Sequence, residues 1–143
     1  YIAGLSMGGY GAWFLGLSRP DLYSKAASMS GTLDIAAIAG QVTTIPPGLP
    51  FQWENIFGQP QCLKDSPADL IWLYKQCKAA GNIPKLYQAC GTEDYLYSMN
   101  RSIREQMEQL NADFFYEEGP GGHTWDFWDE YIQHVFQWIF HES

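Results

Sequence analysis

The sequence predicts a single α/β domain over residues 1–143, built on a mostly parallel sheet with flanking helices. Helical segments alternate with short apolar strands, which is typical of parallel sheets with helical connections. The composition agrees, because 46% hydrophobic and 17% charged residues provide for a core and argue against a disordered chain. The predicted order is helix, strand, excursion with a helix, strand, helix, strand, helix.

The boundaries of these elements follow from local signals. A helix over 8–17 ends at Arg19-Pro20-Asp21, since proline cannot continue a helix. The remaining predictions are a strand within 23–31, a helix from Pro67 to about Ala80 with Ser66 as its N-cap and Gly81-Asn82 as its stop, a strand within 84–94, a helix over 97–110, a strand within 112–122, and a helix from Thr124 to about Phe140. Apolar residues at helical spacing predict that the last helix packs on the sheet; they are Trp128, Ile132, Val135 and Ile139.

Residues 32–66 form a different kind of segment. They are rich in glycine and proline but also carry scattered apolar residues. A segment this apolar is not a solvated linker, and long excursions in compact domains often cover a site. We therefore predict an irregular, cap-like excursion at about 32–66.

Charge and cysteine content limit the partners. Sixteen acidic against eight basic residues give a net charge of −8, which disfavours nucleic acid and anionic membranes. No apolar run approaches the roughly 20 residues of a membrane span.

Cys62, Cys77 and Cys90 match no zinc or redox spacing. Reduced cysteines favour a cytoplasmic over a secreted location, with a Cys62–Cys77 disulfide in an exported protein as the alternative, and localisation otherwise stays unknown.

A candidate nucleophile lies near the start of the chain. Gly4-Leu5-Ser6-Met7-Gly8 reads G-x-S-x-G, the pattern of a strand-to-helix turn that lifts a serine above a sheet. An apolar stub precedes Ser6 and a glycine-rich helix follows it, as this turn requires. The glycines that flank the serine are expected to relieve the steric cost of its strained backbone and to admit a close helix. The alternative is a structural serine in an ordinary glycine-rich turn.

A serine nucleophile needs an acid and then a histidine later in the chain. His123 lies in a glycine-rich loop after a predicted strand, whereas His134 and His141 fall in or at the end of the last helix, where we expect them to be solvated. An exposed loop histidine is the alternative interpretation of His123. Asp94 follows a predicted strand and is the first candidate for the acid, with Asp34 as the second. Glu93 is a neighbour that is easily mistaken for the acid. Asp126 and Asp129 come after the histidine, and we expect them on a solvated helix face.

The reaction also needs donors for the oxyanion. The backbone N–H of the residue after the nucleophile is one donor, which here is Met7. We expect the second donor, and any targeting segment, to precede Tyr1.

Three stretches in this order, AGLSMGGYGA, GTEDYLY and GGHTWDFW, resemble the esterase D/tributyrin esterase family of α/β-hydrolases over nearly the whole chain. The chain is also similar to S-formylglutathione hydrolases, feruloyl esterases and bacterial mycolyltransferases. The resemblance implies the C-terminal part of an α/β-hydrolase fold, with Ser6 as nucleophile, Asp94 as acid and His123 as base. It implies hydrolysis of short-chain acyl esters without metal or organic cofactor, with 32–66 helping to cap the site.

The expected activity is that of a serine carboxylesterase acting on a small-molecule ester, such as an acetyl or feruloyl ester of a carbohydrate. An acyltransferase with the same triad is the first alternative, and an inactive fragment acting only in assembly is the second. An exposed sheet edge also favours homo-oligomers. Candidate pocket residues near these motifs, for which core packing is the competing role, are Trp53, Tyr95, Leu96, Tyr97 and Trp125.

Overall fold

A four-stranded parallel sheet forms the centre of the computed structural model, which describes residues 1–41, 56–58 and 62–141. The sheet order is β1-β2-β3-β4, and all three strand pairs are parallel. The strands are β1 (Ile2–Leu5), β2 (Lys25–Met29), β3 (Lys85–Gly91) and β4 (Phe114–Gly119). The predicted parallel α/β architecture is therefore confirmed.

Five helices longer than one turn connect or follow these strands in the described part of the chain. They are α1 (Met7–Ser18), α2 (Ile35–Gln41), α3 (Leu70–Ala80), α4 (Tyr97–Gln109) and α5 (Trp125–Phe140). Each α1, α4 and α5 boundary lies within one residue of its prediction. The helix α2 is a correction, because irregular structure was predicted there. Asp34 explains the difference, since its carboxylate accepts a hydrogen bond from the Ala37 N–H at 2.9 Å and starts the helix.

The two faces of the sheet carry separate hydrophobic cores. Alternate strand residues point to opposite faces, so Ala26 and Leu86 face one core while Ala27 and Tyr87 face the other. The first core contains apolar residues of α1, α3 and α4, and the second contains residues of α5. The predicted packing of the last helix on the sheet is confirmed, with Val135 and Ile139 buried and Ile132 partly buried.

The start of α3 differs from the prediction. Asp69, rather than Ser66, is the N-cap, and its carboxylate accepts from the N–H groups of Ile71 and Trp72. Ser66 instead lies in the preceding turn, where its hydroxyl donates to the Leu63 carbonyl. The predicted stop is confirmed, because Gly81 caps α3 with φ 71° in the left-handed region.

All three cysteines are free in the structure, so the Cys62–Cys77 disulfide is not formed. Cys62 is exposed, whereas Cys77 and Cys90 are buried. Burial raises the pKa of the Cys77 thiol and raises that of Cys90 to about 12, which keeps both in the unreactive thiol form.

The Asp69 cap gives the fold a testable pH dependence. Burial alone would raise the pKa of this carboxyl, but the Asp65 N–H, the Lys64 ammonium and the Trp72 N–H together hold it below its ordinary value. Because the folded-state pKa is lowered, the stabilisation is present above the ordinary value of 3.8 and is lost as pH falls through the folded pKa.

We expect Asp69→Asn to lower the free energy of unfolding by about 0.5–2 kcal/mol at pH 7. The difference from the unsubstituted protein should shrink at pH 3. Urea unfolding at both pH values measures it, with the exposed Asp129→Asn as the charge-matched control. An equal loss in the free energy of unfolding at pH 7 and pH 3 would contradict the lowered pKa of Asp69.

Candidate active site

Ser6 lies in the turn between β1 and α1, at the carboxyl edge of the sheet. Its backbone has φ 53° and ψ −124°, a conformation that glycine usually occupies and that costs a non-glycine residue about 1–3 kcal/mol. The Ser6 N–H donates to the Met29 carbonyl at 3.0 Å. The Ser6 carbonyl accepts from the N–H groups of Gly9 at 3.0 Å and Thr32 at 3.2 Å. These bonds hold the strained turn from both sides.

Close packing of the helix over the strand explains one glycine of the G-x-S-x-G pattern. A Cβ atom on Gly4 would lie 2.0 Å from the Gly8 carbonyl oxygen, so only glycine lets α1 start this close to β1. Gly8 itself has open space around a Cβ within the described residues. The steric role predicted for both flanking glycines therefore holds here only for Gly4.

Ser6, His123 and Asp94 form one continuous chain of hydrogen bonds. The Ser6 hydroxyl oxygen lies 2.9 Å from His123 Nε2. His123 Nδ1 lies 2.9 Å from Asp94 Oδ2 and 3.2 Å from Oδ1. The structure thus brings together the three residues that the sequence singled out, with the histidine between the hydroxyl and the carboxylate.

The turn after β3 fixes the Asp94 carboxylate. Its side chain is fully buried, and Oδ1 also accepts from the Leu96 N–H at 2.8 Å. The second candidate acid, Asp34, caps α2 instead of meeting His123. A buried carboxylate that accepts from the imidazole Nδ1–H sets the tautomer, which leaves Nε2 free to accept a proton.

A clamp between two loops places the histidine above the acid. The Glu93 N–H donates to the Gly121 carbonyl at 3.0 Å, and the Glu93 carboxylate accepts from the Gly121 N–H in return. The Thr92 N–H adds a bond to the Gly119 carbonyl at 2.9 Å. Sequence reasoning treated Glu93 only as a neighbour of the acid, because nothing in the sequence shows which loop its side chain meets.

Aromatic rings surround the imidazole on its other sides. The Tyr95 ring lies 4.7 Å from that of His123, and the Trp128 ring lies 4.9 Å from it in an edge-to-face arrangement. Trp128 is buried and donates its indole N–H to the Ser30 hydroxyl at 3.1 Å. Trp125 packs edge-to-face on Trp128 at 5.2 Å. The contact between Trp128 and His123 was not predicted, because helical spacing marks Trp128 only as a core residue.

The candidate pocket residues occupy different environments. Tyr95 is 75% exposed and lies beside His123, and Trp125 is 67% exposed and packs on Trp128. Leu96 is buried and its backbone holds Asp94, while the Tyr97 hydroxyl donates to Glu118 at 3.0 Å. Trp53 lies outside the described residues.

The other histidines lie away from this chain of hydrogen bonds. His134 was expected to be solvated, but its Nδ1 lies 3.0 Å from a Glu117 carboxylate oxygen. The Tyr87 hydroxyl donates to that same oxygen, and burial together with this carboxylate raises the pKa of Tyr87. Asp126 and Asp129 are exposed on α5, as predicted.

The backbone N–H of Met7 is the first of α1 and therefore has no carbonyl one turn back to bond with. A helix N-terminus directly beside the serine hydroxyl is a favourable place for negative charge. In the described part of the chain, no group of His, Cys, Asp and Glu side chains is arranged to hold a metal ion. Among the same residues, no helix has the length and apolar character needed to cross a membrane.

The parallel sheet, its connections and the strand-to-helix turn at Ser6 define the fold as part of an α/β-hydrolase. Solved structures similar to this chain include serine hydrolases with this fold. The chain belongs to the family described as "Putative esterase", whose model matches residues 1–139.

Individual relatives agree with this family. An acetyl esterase of Caldicellulosiruptor saccharolyticus is 36% identical over 150 residues, covering 97% of this chain and 53% of the relative. The substrate-bound fluorophosphonate-binding serine hydrolase F (FphF) of Staphylococcus aureus is 30% identical with a TM-score of 0.86, covering 99% of this chain and 54% of that one. An S-formylglutathione hydrolase (FrmB) from the same organism is 31% identical with a TM-score of 0.82, covering 96% and 53%.

The chain therefore spans about half the length of the relatives it matches. This share agrees with the predicted correspondence to the C-terminal half of a family member.

The contact between the acid and histidine loops can be tested through Gly91. A Cβ at this position would lie 2.0 Å from the Gly121 carbonyl oxygen, a backbone atom that cannot rotate away. We expect Gly91→Ala to lower the free energy of unfolding by about 1–3 kcal/mol. Gly122→Ala is the matched control in the facing loop, because the atom nearest to its Cβ would be the Glu93 carbonyl oxygen at 3.7 Å, an ordinary contact. Equal denaturant midpoints for the two variants would contradict the close approach.

Proposed function

We propose that the protein is a serine carboxylesterase that hydrolyses short-chain acyl esters of small molecules, with Ser6 as nucleophile, His123 as base and Asp94 as acid. The observation that carries the proposal is the continuous hydrogen-bonded chain from the Ser6 hydroxyl through the imidazole to a buried carboxylate. The strained backbone of Ser6 adds support, because this conformation aims the hydroxyl out of the turn. The family and its acetyl esterase member make acetyl esters the first substrates to test.

In the acylation step, the Ser6 oxygen bonds to the ester carbonyl carbon while its proton passes to His123 Nε2. The carbonyl π electrons move to oxygen, and the resulting oxyanion accepts a hydrogen bond from the Met7 N–H. Collapse of this intermediate breaks the bond to the alcohol oxygen, which takes the proton from Nε2. Asp94 stabilises the imidazolium in between and stays ionised.

Deacylation repeats these steps with water. His123 Nε2 takes a proton from a water molecule as its oxygen bonds to the acyl carbon. The second oxyanion collapses by breaking the bond to the Ser6 oxygen, which recovers its proton from the imidazolium. The products are the carboxylic acid and the free serine, and neither step requires a redox or metal cofactor.

Ser6→Ala tests the nucleophile in the full-length natural protein. We expect loss of covalent labelling by a fluorophosphonate probe and a fall in p-nitrophenyl acetate hydrolysis of about 10³-fold or more. Asp94→Asn should also lower kcat by about 10²–10⁴-fold, because the carboxylate no longer holds the productive tautomer. Intact-mass spectrometry and initial rates are the measurements.

Asp34→Asn is the matched control, since it changes the other candidate acid. It should retain labelling and most of the hydrolysis. Failure of the unsubstituted protein to label, or labelling that survives Ser6→Ala, would refute the proposed nucleophile.

The positions of Tyr95 and Trp125 support a role for both side chains at the alcohol side of the ester. His123 Nε2 must reach the leaving oxygen to protonate it, so the alcohol portion lies beside the imidazole. The exposed Tyr95 ring is 4.7 Å from that imidazole, and the exposed Trp125 adjoins it through Trp128. Exposed aromatic faces of this kind suit planar or sugar-like alcohol groups.

Tyr95→Ala and Trp125→Ala should therefore affect esters according to their alcohol. With one acyl group throughout, we expect KM for phenyl or glycosyl acetates to rise by about 5–10-fold, the value of roughly 1 kcal/mol of lost contact. KM for methyl acetate should change little. Steady-state kinetics on the matched esters measure the effect, and an equal rise for all three would instead assign these side chains to the acyl group.

A further inference from the structure

We propose that Asn100 is a positioning residue that fixes the Asp94 turn relative to the Ser6 turn, an inference that rests on the function proposed above. Asn100 lies in the first turn of α4 and is 0% exposed. Its side-chain hydrogen bonds go to Gly31, Leu96 and Gln88. Its role would therefore be exerted through the backbone segments that hold Ser6 and Asp94.

The Asn100 side chain is fully engaged and held in one orientation. Its amide nitrogen donates to two carbonyl oxygens, those of Gly31 at 2.9 Å and Leu96 at 3.0 Å. Its side-chain oxygen accepts from the Gln88 amide at 3.1 Å, and Gln88 also donates to the Asn100 backbone carbonyl at 2.8 Å. Because Gln88 supplies a donor, the oxygen of Asn100 faces it and the nitrogen faces the two carbonyls.

One of these bonds reaches the residue that holds the acid. The Leu96 N–H donates to Asp94 Oδ1 at 2.8 Å, and the Leu96 carbonyl accepts from the Asn100 amide. The backbone N–H of Asn100 donates to the same carbonyl at 2.9 Å. The orientation of the peptide groups around Leu96, and with it the place of the Asp94 carboxylate, depends on Asn100.

The other bond reaches the segment that holds the nucleophile. Gly31 belongs to the β2-exit segment, Ser30–Gly31–Thr32, which directly follows β2. The N–H of Thr32 in this segment donates to the Ser6 carbonyl at 3.2 Å. Asn100 thus joins the Asp94 turn to the Ser6 turn through its bond to Gly31, which lies 69 positions earlier in the sequence.

Protein stability alone does not explain why position 100 holds an asparagine. Asparagine is a poor helix former, and burying its amide without partners costs more than burying an apolar side chain. An apolar residue would suit the core beside Ile103 and Met107, which are buried on the same helix. What only the amide supplies is a second donor that bridges two separate carbonyls. Errors of about 1 Å in the placement of catalytic groups can cost about 10²-fold in rate.

Asn100→Ser separates the bridging bond from the local one. A serine hydroxyl within a helix donates to the carbonyl four residues earlier, which here is that of Leu96, but it is too short to also bridge to Gly31. We expect kcat for p-nitrophenyl acetate to fall by about 10–100-fold in the full-length protein, with KM nearly unchanged. Asn100→Ala removes both bonds and provides a second, more severe variant.

Trp13→Phe is the matched control for stability. It removes another fully buried side-chain donor, the indole N–H that bonds to the Tyr87 carbonyl at 3.0 Å, at a position away from the three residues. Urea unfolding should show comparable losses of stability for Asn100→Ser and Trp13→Phe. Only Asn100→Ser should lower kcat.

Two further readouts show whether Asn100 acts through Asp94. In an Asp94→Asn background, adding Asn100→Ser should lower kcat no further, because the carboxylate it positions is already gone. The far-downfield proton resonance of the His123–Asp94 hydrogen bond should shift in Asn100→Ser and stay in place in Trp13→Phe.

The outcomes separate this inference from the proposed function. If the unsubstituted protein does not hydrolyse the ester through Ser6, the proposed function fails. If it does, and Asn100→Ser keeps full kcat, or loses the same factor with and without Asp94, the inference alone is overturned. A fall in kcat confined to the Asp94-containing protein, together with the shifted resonance, supports it.

Discussion

The backbone of Ser6, held at φ 53° and ψ −124°, is the constraint on which the rest of the site depends. A serine does not keep this conformation unaided, so the surrounding structure must enforce it. The Gly4–Gly8 approach brings α1 close over β1, and the bonds from Met29, Gly9 and Thr32 fix both sides of the residue. The strain and the direction of the hydroxyl therefore have one origin, the packing of the first helix on its strand.

The β2-exit segment connects the Ser6 turn to the residues that contact Asp94 and His123 or their loops. Thr32 bonds to the Ser6 carbonyl, Gly31 accepts from Asn100, and Ser30 accepts from the Trp128 indole. Each bond leads to a different member of the Ser6, Asp94 and His123 set. Three successive residues at the carboxyl end of β2 thus bond to Ser6 itself, to Asn100 near the Asp94 turn and to Trp128 beside the His123 ring. Such convergence is expected at the carboxyl edge of a parallel sheet, where the strand ends lie close together.

The parts of the structure that the sequence predicts well are those set by periodicity and short motifs. Apolar spacing located α5, and the G-x-S-x-G pattern with its chain-order rule singled out Ser6, Asp94 and His123, whose side chains the fold joins by hydrogen bonds. Most of the parts it missed depend on contacts distant in sequence. The α3 cap is a local exception, because the bonds that Lys64 and Asp65 make to the Asp69 carboxylate favour Asp69 over Ser66, and the usual helix-start signals do not include them. The Glu93 clamp and the Asn100 bridge likewise join segments that only the fold brings together.

Trp128 has a second role that its spacing in the sequence does not predict, because that role depends on a contact with another loop. Its spacing with Val135 and Ile139 predicts a core residue, and it is one, because it packs in the α5 core cluster. Its ring also meets His123, and its N–H is anchored at Ser30. The imidazole is therefore braced by a side chain that the packing of α5 on β2 and β3 already fixes. The stability of this core and the position of the His123 imidazole are coupled, since any repacking that moves α5 along the sheet also moves the ring against which His123 rests.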